Sequence, residues 1–176
     1  PYASRKMLLE DVSFDLRRGE ILGLTGLLGT GRSELLQAAF GAMPKVSGDL
    51  YLHGKKVEIK KTSDAIRLGI GLLTENRGLD GYVPTMNVGE NMSLAILRKL
   101  TRGGFIDERK EQGLTEEYFR RVSIKAPSAK TSILSLSGGN QQKVLVAKWL
   151  MNESKILFLD EPTRGIDVGA KEEIYN

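Results

Sequence analysis

The sequence predicts an α/β fold built on a parallel sheet. Short apolar runs of strand length recur along the chain, segments of helical period separate them, and a glycine-rich loop joins one apolar run to the helix after it. A chain of 176 residues, 40% hydrophobic and 27% charged, has the composition of one substantial globular core and is short for two.

In chain order, Leu8 to Leu16 alternates as a half-buried strand does, and Arg17-Arg18-Gly19-Glu20 makes a turn. Ile21-Leu22-Gly23-Leu24 reads as a buried central strand. Arg32 to Phe40 follows as a helix, with Leu35, Leu36, Ala39 and Phe40 on one face. Asp49 to Ile59 holds a hairpin, Leu50-Tyr51-Leu52 turning through His53-Gly54 toward Val57 and Ile59. Ser63 is placed to cap a helix through Arg67, and Ile70 to Leu73 is another buried strand. Val88 to Leu97 and Asp107 to Val122 have helical period, with a break at Arg102-Gly103-Gly104. Ser128 to Leu136 reads as a loop, Asn140 to Met151 as a helix and Ile156 to Leu159 as a further apolar strand. Trp149 and Tyr118 have apolar neighbours at helical spacing, which marks them as packing residues rather than base-stacking platforms. His53 reads as a solvent-facing turn residue.

Composition removes several functional classes. With no Cys there is neither a disulfide nor a cysteine-ligated zinc site. No apolar run approaches the roughly 18 residues of a membrane span, and Pro1 to Lys6 lacks a secretory pattern. The net charge of +4 is mild, and Lys60-Lys61 is as long a like-charge run as stands out, so no nucleic-acid partner is expected. The chain opens without Met and closes in a helical stretch without a stop signal, as a segment of a longer chain would.

Three motifs carry chemistry. Gly26-Leu27-Leu28-Gly29-Thr30-Gly31-Arg32-Ser33 has P-loop spacing, with Arg32 where the lysine stands. Glycines let successive N–H groups face phosphate oxygens, and the following helix adds its positive end. Gly26, Gly29, Thr30, Gly31, Arg32 and Ser33 are thus the candidate nucleotide-binding residues, and the Ser33 hydroxyl suits Mg²⁺. Arg32 is a planar fork rather than a point charge, and Glu34 sets a carboxylate at the positive helix end; both predict impaired phosphate binding. The second motif is the apolar strand ending in Asp160-Glu161. Asp160 suits Mg²⁺ and Glu161 a general base. The third is Ser137-Gly138-Gly139-Asn140 opening a helix, where hydroxyl, bare amides and helix dipole converge into a second anion site.

Together these motifs resemble the ABC transporter ATPases along nearly the whole chain. Gly23 to Leu35, Glu75-Asn76-Arg77 and Asp160 to Lys171 are similar to the second cassette of the two-cassette ribose, galactose and xylose importers. The resemblance implies a RecA-like P-loop NTPase core, an antiparallel β subdomain and an α-helical subdomain at about 85–150 bearing the signature, all within one unit over 1–176. It implies ATP and Mg²⁺ as cofactors, and sugar import driven by ATP hydrolysis. The implied partners are a second cassette fused upstream, membrane permease subunits and, through them, a periplasmic or extracellular sugar-binding protein. The implied location is peripheral, on the cytoplasmic face of the bacterial inner membrane. Glu75 matches the γ-phosphate-sensing glutamine and as a carboxylate would repel ATP. Asn140 replaces the usual signature glutamine, and Asp167 matches the D-loop aspartate facing the partner cassette. For adenine stacking, Ala3 sits near the expected spacing and Tyr2 one residue away; the family's switch histidine lies beyond this chain. A non-hydrolysing regulatory half-site is the alternative. A DNA-repair ABC ATPase is disfavoured, because such proteins insert coiled coils or cysteine zinc modules absent here.

Overall fold

The computed structural model describes residues 9–27, 29–45 and 47–175. The expected adenine-stacking positions Tyr2 and Ala3, the P-loop residue Leu28 and the start of the first expected strand at Leu8 lie outside them.

Helix α1 spans Arg32–Phe40 and closes on Gly41, whose φ of 77° is the left-handed conformation that ends a helix without a Cβ clash. Strands β1 (Leu50–Leu52) and β2 (Lys55–Val57) form the expected antiparallel hairpin. His53 and Gly54 take φ of 51° and 75°, as a tight hairpin turn requires of both central residues, and His53 faces solvent. Helix α2 (Thr62–Arg67) begins after Lys61, not at a Ser63 cap. The Asp64 carboxylate reaches back to accept from the Lys60 and Lys61 amides at 3.1 and 3.2 Å, which leaves Ser63 inside the first turn.

The parallel pairing forms between β3 (Ile70–Leu73) and β6 (Ile156–Leu159), in register Ile70 with Ile156 through Leu73 with Leu159. All four β3 residues are buried. Ile21–Leu24, read as a central strand, makes no ladder pairing among the described residues. Ile21 is 98% exposed, and Leu157 and Leu159 on β6 are open as well. Gly19, Gly23 and Gly26 in and around Ile21–Leu24 add to the entropy of ordering it. Leu9 to Leu16 is likewise outside any strand.

Beyond β3 the chain makes a five-residue π-turn, Arg77–Gly81, then α3 (Val88–Ser93), a 3₁₀ turn and α4 (Leu97–Leu100). Asn87 and Glu90 cap α3 reciprocally, at 2.9 and 2.7 Å. The short hairpin β4 (Thr101–Arg102) and β5 (Phe105–Ile106) turns through Gly103-Gly104 at the expected break. Helix α5 (Glu108–Arg121) is capped by Asp107, which accepts from the Lys110 amide at 3.1 Å. Helix α6 (Gly138–Met151) starts two residues before the expected Asn140, and α7 covers Val168–Tyr175.

Two apolar clusters form the core. One gathers Leu36 and Phe40 of α1, Ile70, Leu72 and Leu73 of β3, and Leu145 and Trp149 of α6. The other gathers Val88, Met92, Ile96, Leu100, Ile124 and Ile133 with Val144, Ala147 and Met151 of α6. Trp149 is buried and meets Phe40 edge to face at 5.7 Å, a packing role as its helical spacing indicated. Lys148 of α6 is buried, with its ammonium donating to the Gly81 carbonyl at 2.7 Å. Burial lowers its pKa to about 8.

Candidate nucleotide site and signature turn

The glycine loop ends in two left-handed residues, Gly29 (φ 79°) and Gly31 (φ 90°). A Cβ on Gly31 would fall 2.7 Å from the Leu9 side chain, and one on Gly26 would fall 2.7 Å from Thr30 Oγ1, so a side chain at either position would have to displace its neighbour. The Thr30 amide and hydroxyl both turn inward to the Leu27 carbonyl, at 3.3 and 2.8 Å. Gly31 is the N-cap of α1 and supplies no side chain, so no cap side chain covers that helix end; Glu34 lies in its first turn.

The next two residues reach across to other elements. Arg32 lies 3.5 Å from the Glu161 carboxylate, beyond the end of β6. Ser33 Oγ donates to Glu75 Oε2 at 3.4 Å, after the end of β3. Glu75 also pairs with the Arg164 guanidinium. The expected repulsion of phosphate by Glu75 is therefore offset by a neighbouring cation. Asp160 is buried, and its amide donates to the Leu73 carbonyl at 2.9 Å, which fixes it at the carboxyl end of the parallel pair. Glu161 sits at φ 44°, a left-handed conformation that costs a non-glycine residue about 1 kcal/mol, and such strain concentrates at functional sites.

The signature turn is a separate construction. Ser137 is the N-cap of α6, yet its hydroxyl does not cap the helix; it accepts from Asn140 Nδ2 at 3.0 Å. Asn140 Oδ1 in turn accepts from the Lys125 amide at 2.7 Å, so Asn140 ties the serine to the segment after α5. Asp167 is exposed immediately before α7. Glu173 on α7 pairs with Lys125 at 2.8 Å and with Lys143 of α6 at 2.7 Å. The hydrogen bonds from Lys125 and Lys143 hold the Glu173 carboxyl well below the usual range, at about 2.

Three residues without a predicted role join these parts. Arg77 donates from Nε to Gln141 Oε1 at 3.2 Å, and from its terminal nitrogens to the Arg164 and Gly165 carbonyls at 2.9 and 3.3 Å. Glu75, Arg77, Tyr82, Gln141 and Arg164 line one open groove.

The sequence model of the ABC transporter family matches residues 9–164. The chain belongs to that family. The cassette is 49% identical over 173 residues to a ribose import ATP-binding protein of Bacillus licheniformis, covering 98% of this chain and 35% of that protein. It is also 49% identical over 172 residues to a xylose import ATP-binding protein of Thermoanaerobacter pseudethanolicus, covering 97% of this chain and 34% of that one. The cassette thus spans about a third of the length of these curated relatives. In solved structures it is similar to a dimeric ATP-binding cassette in a post-hydrolysis state with ADP and Pi. The TM-score there is 0.76 at 24% identity, over 95% of this chain and 71% of that one, which establishes the ABC cassette fold.

Proposed function

We propose that the chain is the second ATP-binding cassette of a sugar importer, and that it couples ATP binding and hydrolysis to carbohydrate import mainly through its signature turn. The observation that carries this is an asymmetry between the two anion sites. Both helix ends lack a side-chain cap, and the difference lies in the P-loop cation, Arg32, which is engaged by Glu161.

The residues present fit a magnesium nucleotide in part. Gly29 and Gly31 hold left-handed conformations that disfavour side chains, a Cβ on Gly26 or Gly31 would crowd its neighbour, and the α1 terminus carries no side-chain cap. Gly26, Gly29, Thr30, Gly31 and Arg32 would hold the phosphates, with Ser33 and Asp160 toward the metal and Glu75 beside the terminal phosphate. Magnesium ATP supplies a phosphoanhydride bond and a divalent charge to neutralise the departing phosphate. Glu161 is the group suited to take a proton from water. Its carboxylate contacts Arg32 at 3.5 Å.

In this reading a partner cassette, fused upstream, contributes the competent P-loop, and the pair closes head to tail with Asp167 at the junction. Permease subunits carry the sugar delivered by an external binding protein, and the cassette rests on the cytoplasmic face of the membrane. The names of the ribose and xylose relatives support the substrate class. A non-hydrolysing regulatory half-site is the second reading for this chain's own nucleotide, and the Arg32–Glu161 pair favours it.

The test is transport and ATPase assay of the full-length importer carrying Ser137→Arg or Glu161→Gln, with expression and folding checked. The signature variant should lose most activity, because its side chain fills the space a phosphate needs, while Glu161→Gln should do less damage. Equal or greater loss from Glu161→Gln would overturn the division of labour.

A further inference from the structure

We propose that Arg77 is a positioning residue that seats the signature turn on the segment leading to Asp167, so that the two move as one piece toward a partner's nucleotide. The proposal rests on the reading that the signature acts in trans.

All three guanidinium nitrogens are used, each on a different acceptor: the Gln141 side chain in the first turns of α6, and the carbonyls of Arg164 and Gly165. These acceptors are neutral and diverge from one plane. An arginine fork satisfies such a set, and a lysine point charge does not. The contact with the signature is also steric. A Cβ on Gly138 would collide with Arg77 Nη2 and would lie 3.2 Å from the Gly165 carbonyl. The signature glycine therefore leaves space for the clamp.

The clamp is itself held in place. Arg77 opens the π-turn whose far end, Gly81, gives its carbonyl to Lys148 of α6 at 2.7 Å. Glu75, two residues earlier, pairs with the side chain of Arg164, the residue whose carbonyl Arg77 holds. Arg164 is thus gripped at both its side chain and its backbone from one loop. Through that loop, the residue beside Ser33 and the turn that opens α6 share a single rigid connection.

Removing the fork frees the first turn of α6 from residues 164–167 without touching either P-loop. In the full-length importer, Arg77→Ala should lower kcat about ten- to a hundredfold, the loss expected of an ångström-scale misplacement. KM for ATP should stay within roughly twofold, since ground-state binding is made elsewhere. Arg77→Lys should recover little of the lost kcat, and Gln141→Leu, which removes one acceptor of three, should give an intermediate loss. A wild-type kcat in Arg77→Ala, a loss confined to KM, or full rescue by lysine would each overturn the proposal. If Arg77→Ala does not fold, Gln141→Leu decides alone: reduced kcat at constant KM supports the clamp, and wild-type kcat refutes it. Ser137→Arg is measured alongside. If Ser137→Arg retains activity, the trans reading itself fails, and the clamp with it. If Ser137→Arg is inactive while Arg77→Ala turns over normally, only the role given to Arg77 falls.

Discussion

The Arg32 guanidinium and the Glu161 carboxylate meet at 3.5 Å, so the first residue of α1 and the second residue after β6 neutralise each other. Both side chains are partly exposed, at 33% and 46%, which limits such a pair to about 0.2–1 kcal/mol. Small as that is, it opposes nucleotide binding at the proposed site, because the Glu161 carboxylate competes with phosphate for the Arg32 guanidinium. Glu161→Gln should therefore tighten magnesium-nucleotide binding to this chain about two- to fivefold, read by calorimetry. Unchanged or weaker binding would mean that the pair does not compete with the ligand.

Acid should loosen the contact between α6 and α7. The Glu173 carboxyl is lowered from an ordinary 4.5 to about 2 by Lys125 and Lys143. A depressed carboxylate contributes stability that is fully present above the unfolded value and is lost as pH falls through the folded one. The window is thus about pH 4.5 down to about pH 2. Glu173→Gln should be less stable than wild type at neutral pH and should show a shallower decline across that window, measured by urea denaturation. Parallel pH profiles would remove Glu173 from the account of acid stability.

Packing at β3 makes a separate prediction. A Cβ on Gly71 would fall 2.9 Å from both Leu157 Cδ2 and Trp149 Cδ2, between β6 and α6. Gly71→Ala should destabilise the chain by about 1–3 kcal/mol through overpacking. The urea midpoint should fall with the slope unchanged. A midpoint equal to wild type would show that Trp149 can shift aside at no cost.

What could be read from the sequence was what depends on near neighbours. The hairpin followed from His53-Gly54, α5 from Asp107 and its helical period, and the parallel pair from Ile70–Leu73 and Ile156–Leu159. The glycine loop and the Ser-Gly-Gly turn were legible by spacing, and the structure puts each at the start of its helix. Ile21–Leu24 was misread because an apolar run states a preference for burial without naming a ladder partner. The Arg77 clamp was out of reach for a related reason: its acceptors lie 64, 87 and 88 residues away, and no periodicity connects them. Arg164 escaped in the same way, although its neutralisation of Glu75 changes the electrostatics expected at the site.

Helix α6 contributes Leu145 and Trp149 to one apolar cluster, and Val144, Ala147 and Met151 to the other. Neither cluster can come apart while α6 stays fully packed, and α6 cannot leave one without straining the other. The two halves of the core should therefore unfold in one transition, with their thermodynamic linkage running down the length of a single helix. Its central amides, around Val144 to Trp149, would be the last to exchange their hydrogens with solvent.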